Sequence, residues 1–339
     1  PVEDNMVASP GKKIWRRLIL LVILGVAVHL ILPNIPTLEN SLRVVAKMQL
    51  WAVGLAFIAL ILSYLGSGYL LQNTLALTNQ IIKLGQSTLI VMGAASISMV
   101  AAGILGSSAA IFRWTSRDQK GVEGATLASL LPSLFNDMIF VFFSILGLAV
   151  LIIGNNLSRA QLVGFIITLI VLGVIVGVSI LAMSHRQYTT KAVLRIASIP
   201  ARLRKKQPDK STIQKGVDDL FAAWGTLWQG QWRHLTMGAF INVAFNMLIL
   251  YFMFLASGVS INLWVLIAGY ALPMLLGKIA FILPGGVGVV ETSMIALYAG
   301  MGISNSSAVV AVLGYRLISF WIPIIAGFPI AGYLERSRA

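Results

Sequence analysis

The stretch Ile282-Leu283-Pro284-Gly285-Gly286-Val287-Gly288-Val289-Val290-Glu291 sets a proline, three glycines and a carboxylate inside a long apolar region. Backbone freed at a Pro-Gly break is costly in lipid, so the break is tolerated only where protein or a water-filled cavity surrounds it. An ionisable residue at such a depth marks a functional site by default. The other placement open to this stretch is a loop between two spans, with Glu291 at the water interface. The rest of the chain makes lipid the relevant solvent. Its 339 residues are 58% hydrophobic and 11% charged, with a mean hydropathy of +0.89, far more apolar than a soluble domain of that length. The chain reads as an all-α polytopic membrane protein. It has no cysteine, which excludes disulfides, thiolate metal sites, cysteine nucleophiles and palmitoylation. The net charge of +14 sits in segments flanking apolar runs, where topology and anionic lipid explain it better than nucleic acid does.

The apolar runs are Leu18–Leu32, Leu50–Leu71, Leu89–Phe112, Ala125–Ile153, Leu162–Met183, Leu235–Ser257, Leu263–Ile282, Val289–Met301 and Ala308–Leu334. Lys12, Lys13, Arg16 and Arg17 precede the first in the manner of a signal peptide, but no small-residue cleavage site follows, so it reads as a retained span. Pro1 is not a natural start, and the residues before Met6 are read as no part of the fold. If every run crosses, the segment between Met183 and Leu235 falls outside the cell. That segment holds ten basic residues, among them Arg186, Lys191, Arg202, Arg204, Lys205, Lys206 and Arg233, against three acids, and the positive-inside bias forbids the placement. One early run therefore turns back.

The run that turns back is Leu89–Phe112, which is rich in Gly, Ala and Ser where the other runs carry Leu, Ile and Val. Small residues let a hairpin pack tightly within protein. With Gln80–Arg117 as a re-entrant hairpin, Lys83, Arg113, Arg117, Lys120 and the central basic loop all fall on the cytoplasmic side. In the second half, Leu263–Met301 forms a hairpin entered from the opposite side, and Ala308–Leu334 returns Arg336 and Arg338 to the cytoplasm. The expectation is about six full spans and two oppositely oriented re-entrant helical hairpins. Gly103-x-x-Gly106 and Gly285-x-x-Gly288, about 180 residues apart, are consistent with an inverted repeat, which many transporters build around a midplane site.

These residues resemble a known family, the integral-membrane flippase-like domain of lysylphosphatidylglycerol synthases and its stand-alone bacterial and archaeal relatives. The shared signature is a Leu-Pro-Gly-Gly-x-Gly-x-x-Glu run followed about 25 residues later by an Arg in the last span, here Leu283–Glu291 and Arg316. The layout of nearly the whole chain is similar, and the specific part is confined to roughly Gly277–Glu335. The resemblance implies lipid translocation in a prokaryotic cytoplasmic membrane. The chain departs from the family at the first hairpin, with Ala102 where Pro284 aligns and Ala109 where Glu291 aligns, so the first hairpin reads as structural and the second as functional. The synthases also carry a soluble aminoacyl-transferring domain. These residues hold none, and lipid aminoacylation is not implied.

The candidate substrate-binding set is Lys278, Pro284, Gly285, Gly286, Gly288, Glu291 and Arg316, with Arg113, Asn136 and Asp137 from the first half. A half-helix opening at Gly288 presents free N–H groups and a partial positive charge to an anion. Arg316 is able to clamp a phosphate bidentately, and Glu291 pairs with Arg316 or Lys278 when no head group competes. A static Glu–Arg staple between two helices is the competing account. Ser129, Pro132, Ser133, Asn136, Asp137 and Ser144 make a polar stripe along one span. For Asp137 three roles stay open: pairing with Arg113 or Lys278, proton coupling, and hydrogen bonding between helices. Asn242 and Asn246 read as polar glue, and Tyr270, Pro273 and Gly277 as packing and a kink.

Residues 184–234 read as a cytoplasmic basic and amphipathic loop within a single integral-membrane domain spanning 1–339. Trp224, Trp228 and Trp232 recur at helical spacing at its end, as in a headgroup-level belt, after the basic run Lys191–Lys206. Such a patch attracts anionic lipids at about 1 kcal/mol per basic residue, although topology-setting charge explains it equally well. Enzyme motifs are scarce: His29, His185 and His234 lack metal-ligand spacing, there is no nucleophile elbow or P-loop, and no cofactor or metal is expected. A lipid translocase is the favoured reading, with an aminoacylated phospholipid or a polyprenyl-phosphate-linked carrier as substrate and both termini cytoplasmic. The rivals are a membrane-embedded transferase with Asp137 or Glu291 as base, and a scaffold subunit. Expected partners are the lipid substrate and anionic lipids at the loop, with self-association into a homo-oligomer left open.

Overall fold

The structure, a computed structural model, describes residues 48–100, 104–116, 122–154, 159–184, 218, 221–222, 225, 230–279 and 286–337. Every regular element among them is helical, as lipid demands of a spanning backbone. The first half contains α1 (Leu50–Ala76), α2 (Leu84–Val100), α3 (Ile104–Thr115) and α4 (Val122–Ile153), followed by α5 (Arg159–Ser184). The second half contains α6 (Trp232–Ala256), α7 (Leu263–Ile279), α8 (Val289–Gly300) and α9 (Asn305–Arg316). A π-helical turn, Leu317–Trp321, then joins α9 to α10 (Ile322–Arg336). The expected first span, Leu18–Leu32, and nearly all of the 184–234 loop lie outside the described residues.

The two halves repeat one another in element length. Helices of 27, 17, 12 and 32 residues (α1 to α4) are matched by helices of 25, 17 and 12 (α6 to α8) and by the continuous stretch Asn305–Arg336 of 32 residues. The long members qualify as membrane spans by length and composition. At about 1.5 Å per residue, limbs of 17 and 12 residues reach only ~25 and ~18 Å, short of the ~30 Å hydrocarbon core. Each short pair therefore works as one hairpin that enters and returns.

The hairpins enter from opposite ends. Helices α1 and α6 are antiparallel: the N–H of Gln49 donates to the Ala256 carbonyl at one end, and the Tyr69 hydroxyl lies 2.8 Å from His234 Nδ1 at the other. Helix α2 begins where α1 finishes, with Gln72 Nε2 donating to the Ile82 carbonyl, whereas α7 begins where α6 finishes. The end of α3 returns to the side on which α2 entered, since Arg113 pairs with Glu335 at the foot of α10 and the start of α4 lies against Thr78 and Gln80. The expected pair of oppositely oriented re-entrant hairpins is what the helices form.

Small residues make the central crossing of α1 and α6. A Cβ on Gly66 would come within 2.7 Å of the Asn242 nitrogen, and one on Gly238 within 2.9 Å of the Leu70 nitrogen. In lipid, such close approach supplies the dispersion contact that replaces a hydrophobic driving force. Beside it, Asn242 Nδ2 donates to Ser63 Oγ and to the Ser63 carbonyl, while Ser63 Oγ donates to the Asn242 carbonyl. Asn242 is thus the interhelical glue its sequence position implies. The 17-residue limb of each hairpin packs on the last span of the other half, α2 on α10 and α7 on α4. Each contact centres on a glycine, Gly327 against Ser96 and Gly147 against Ala268.

Candidate functional site

The broken hairpin is built on two glycines in the left-handed backbone region, Gly286 at φ +62° and Gly288 at φ +88°. Gly286 has a second reason to lack a side chain, because a Cβ there would lie 2.7 Å from the Gly277 Cα on the facing limb. The two limbs of the hairpin therefore touch backbone to backbone just beyond the break. Helix α8 opens at Gly288, and Glu291 in its first turn accepts the Gly288 N–H on Oε2 at 2.7 Å. This is half of a capping box, and it places the negative charge where the helix dipole favours it.

The other oxygen of the same carboxylate, Oε1, takes Arg316 Nε at 2.6 Å. Both side chains are almost fully buried, Arg316 at 4% and Glu291 at 7% exposed. Arg316 closes α9, and the π-helical turn begins at the next residue. Phe320 on that turn lies under the guanidinium, 4.3 Å from ring centroid to Cζ. π-turns cluster at functional sites because they shift the side-chain register of a span. Counted from Asn305, Arg316 is the twelfth residue of a 32-residue span, about 17 Å from its end, which is the middle of a membrane-crossing helix.

A polar knot lies behind the pair. Asn246 Oδ1 accepts from the Tyr315 hydroxyl at 2.7 Å and from the Tyr270 hydroxyl at 3.1 Å, tying α6, α7 and α9 together next to Arg316. Tyr270 also stacks on Phe140 of α4, with centroids 6.2 Å apart, and Tyr298 of α8 donates to the Leu266 carbonyl of α7. Sequence alone assigns Tyr270 a packing role and assigns none to Tyr315 or Phe320. The available signals were a hydroxyl and an amide in neighbouring apolar runs, and an aromatic four residues after a buried arginine.

The other candidates divide. Gly286, Gly288, Glu291 and Arg316 come together as expected. Pro284 and Gly285 lie outside the described residues, as does the side chain of Lys278, whose backbone belongs to α7. Asn136 and Asp137 occupy the middle of α4. Arg113 does not join the set: it pairs with Glu335 at the exposed foot of the bundle, with side-chain exposures of 68% and 47%. Glu335 lies nineteen residues past Arg316, about 28 Å along the same span. The cause is that α3 is only 12 residues long and carries Arg113 back to the end at which the hairpin entered. Among its described residues the first hairpin holds no counterpart of the Glu291–Arg316 pair. Ser108 Oγ donates to the Ser129 carbonyl at 3.0 Å instead, a neutral link suited to the structural role expected of that hairpin.

Comparison with known proteins finds relatives of this sequence. A family model described as "Lysylphosphatidylglycerol synthase TM region" matches residues 14–327. The chain is 25% identical over 204 residues to a "UPF0104 membrane protein" of Methanothermobacter thermautotrophicus, covering 58% of this chain and 60% of that protein. It is 36% identical over 93 residues to a "UPF0104 membrane protein" of Pyrococcus horikoshii, 26% of each. The chain thus spans about three-fifths of the length of the first relative and about a quarter of the second.

Proposed function

This chain belongs to the family of the lysylphosphatidylglycerol synthase TM region, and from that premise we propose that it is a lipid translocase. It moves an anionic or phosphate-bearing lipid between leaflets of a prokaryotic cytoplasmic membrane. An aminoacylated phospholipid and a polyprenyl-phosphate-linked carrier are the two substrate types this reading admits. The observation that carries it is the buried Glu291–Arg316 pair at a broken hairpin in mid-span. A buried ion pair is weak evidence for stability, since desolvating both charges offsets most of their attraction, so its position at a helix break calls for a functional account.

In this account the pair is the resting state of a head-group site. Glu291 holds the Arg316 guanidinium through Nε, and Phe320 holds its face. An incoming phosphate competes with Glu291 for the guanidinium and meets the positive end of α8, whose first turn is anchored at Gly288. Released from Arg316, Glu291 keeps its bond to the Gly288 N–H, so the half-helix stays capped during exchange. No bond of the lipid is made or broken, and the protein acts as a carrier. The end that gathers Arg113, Arg233 and Arg336 faces the cytoplasm, with both chain termini on that side. The central basic loop, 184–234, recruits anionic lipid at the same surface.

The test is the purified chain in liposomes with a fluorescent lipid supplied in one leaflet. Movement to the other leaflet without chemical change supports the translocase. A new lipid species would point to a transferase using Asp137 or Glu291, and the absence of both movement and new species would reduce the chain to a structural subunit.

A further inference from the structure

Asn136 Oδ1 on α4 is buried and has no hydrogen-bond partner among the described residues, while the residue as a whole is only partly buried. A buried acceptor left unpaired costs about 1–3 kcal/mol, and native structures rarely keep one without a reason. Its position supplies the reason. Helix α4 lies along α7, with Gly147 against Ala268 and Phe140 stacked on Tyr270, so the contacts advance along α7 as they recede along α4. Asn136 is one turn further, on the face of Phe140, and comes level with the last turns of α7. There Met274 sulfur lies 3.8 Å from the Tyr315 hydroxyl, and Gly277 touches Gly286 and Val290 beside Glu291. Position 136 therefore lies on the α4 face that packs on the first limb of the broken hairpin, while Arg316 reaches the second limb at Glu291 from α9.

The internal repeat points to the same place. Asn136 is the fifteenth residue of the 32-residue α4, and the π-turn that follows Arg316 covers the thirteenth to seventeenth residues of the matching 32-residue span. Arg316 is the twelfth residue of that span, so within one turn of equivalent depth the two halves present opposite chemistry: a hydrogen-bond donor of fixed positive charge on α9, and an uncharged acceptor on α4.

We infer that Asn136 is a specificity-determining residue of the proposed lipid site, its Oδ1 accepting a hydrogen bond from a hydroxyl or ammonium group on the head group whose phosphate Arg316 holds. This rests on the translocase reading only for the identity of the ligand as a lipid. It selects phosphodiester lipids whose head group carries a donor, and it disfavours those whose phosphate bears an apolar ester.

Binding tests it without transport. The full chain in detergent micelles is titrated with phosphatidylglycerol, phosphatidylethanolamine and phosphatidylmethanol, a phosphodiester with no donor, and the rise in melting temperature reports affinity. One hydrogen bond corresponds to about a two- to tenfold preference for a donor-bearing lipid over phosphatidylmethanol. A preference for phosphatidylglycerol identifies the donor as a hydroxyl, and one for phosphatidylethanolamine as an ammonium. Asn136→Leu should abolish the preference, leave phosphatidylmethanol binding unchanged and melt no lower than the native chain, because it removes an unpaired acceptor. Asn136→Asp, which keeps acceptor oxygens, should retain the preference. A native chain that does not discriminate, an Asn136→Leu chain that still does, or one that melts far lower, as expected of a structural amide, would overturn the inference. Selective binding without lipid movement would remove the translocase reading and leave this one standing.

Discussion

Arg316 Nε and Glu291 Oε1 meet at 2.6 Å while the second oxygen of Glu291 takes the Gly288 N–H at 2.7 Å, so one carboxylate fastens the last span to the opening of a half-helix. Breaking such a buried pair on one side strands the other charge, at a typical cost of about 3–5 kcal/mol. Arg316→Ala and Glu291→Gln should each lower the melting temperature of the chain, with Arg316→Ala the more damaging because it also empties the buried space over Phe320, whereas Gln keeps the shape of Glu291. The double variant should recover much of the loss. Additive losses would show that the two charges do not act on one another.

The two glycines of the break should differ in their tolerance of a methyl group. At Gly288 an added Cβ meets nothing within 4 Å, so Gly288→Ala carries only the left-handed backbone penalty of about 1–2 kcal/mol. At Gly286 the same penalty is joined by a 2.7 Å collision with the Gly277 Cα, which is backbone and cannot swing aside. Gly286→Ala should melt well below Gly288→Ala, and equal melting temperatures would show that the limbs do not touch there.

Asn246 should behave as the common acceptor of two buried hydroxyls. Asn246→Leu leaves the Tyr270 and Tyr315 donors unpaired, at about 1–3 kcal/mol each, softened for Tyr315 by the Met274 sulfur. Converting both tyrosines to phenylalanine in the same chain should restore most of the stability. If the triple variant is no better than Asn246→Leu alone, the amide acts through packing and not as an acceptor.

Topology can be read by labelling, since the chain has no cysteine of its own. Single cysteines at Asn79 and Ser337 should react with a membrane-impermeant reagent from one side only, and those at Ser260 and Ser306 from the other. Labelling of Asn79 and Ser337 from opposite sides would mean that the first hairpin crosses the membrane.

Much of this architecture is legible in the sequence because lipid leaves few choices. The parity of basic segments requires one early run to turn back, and the small residues of 89–112 identify it; the structure forms that run as two limbs too short to cross. The Glu291–Arg316 pair is legible from a carboxylate three residues past Gly288 and an arginine in the next span. The Asn246 knot is not, because its partners lie 24 and 69 residues away and only packing of α6, α7 and α9 decides that they meet. Arg113 misleads for the converse reason: its charge suits an anion site, but the length of α3 alone fixes its depth, and that length shows only in the structure. What the sequence leaves open is where each limb stops, as the matching 17- and 12-residue limbs of the second hairpin illustrate.

The most direct measurement of the central claim is lipid translocation by the Glu291→Gln, Arg316→Ala double variant in proteoliposomes, with its melting temperature taken alongside. This variant leaves no stranded charge, so its fold is expected to survive while the guanidinium that holds the head group is gone. The account predicts a melting temperature above that of Arg316→Ala and translocation reduced to the protein-free rate. A double variant that melts in the same way but moves lipid at nearly the native rate would contradict it, leaving the pair as a staple and the head-group site elsewhere.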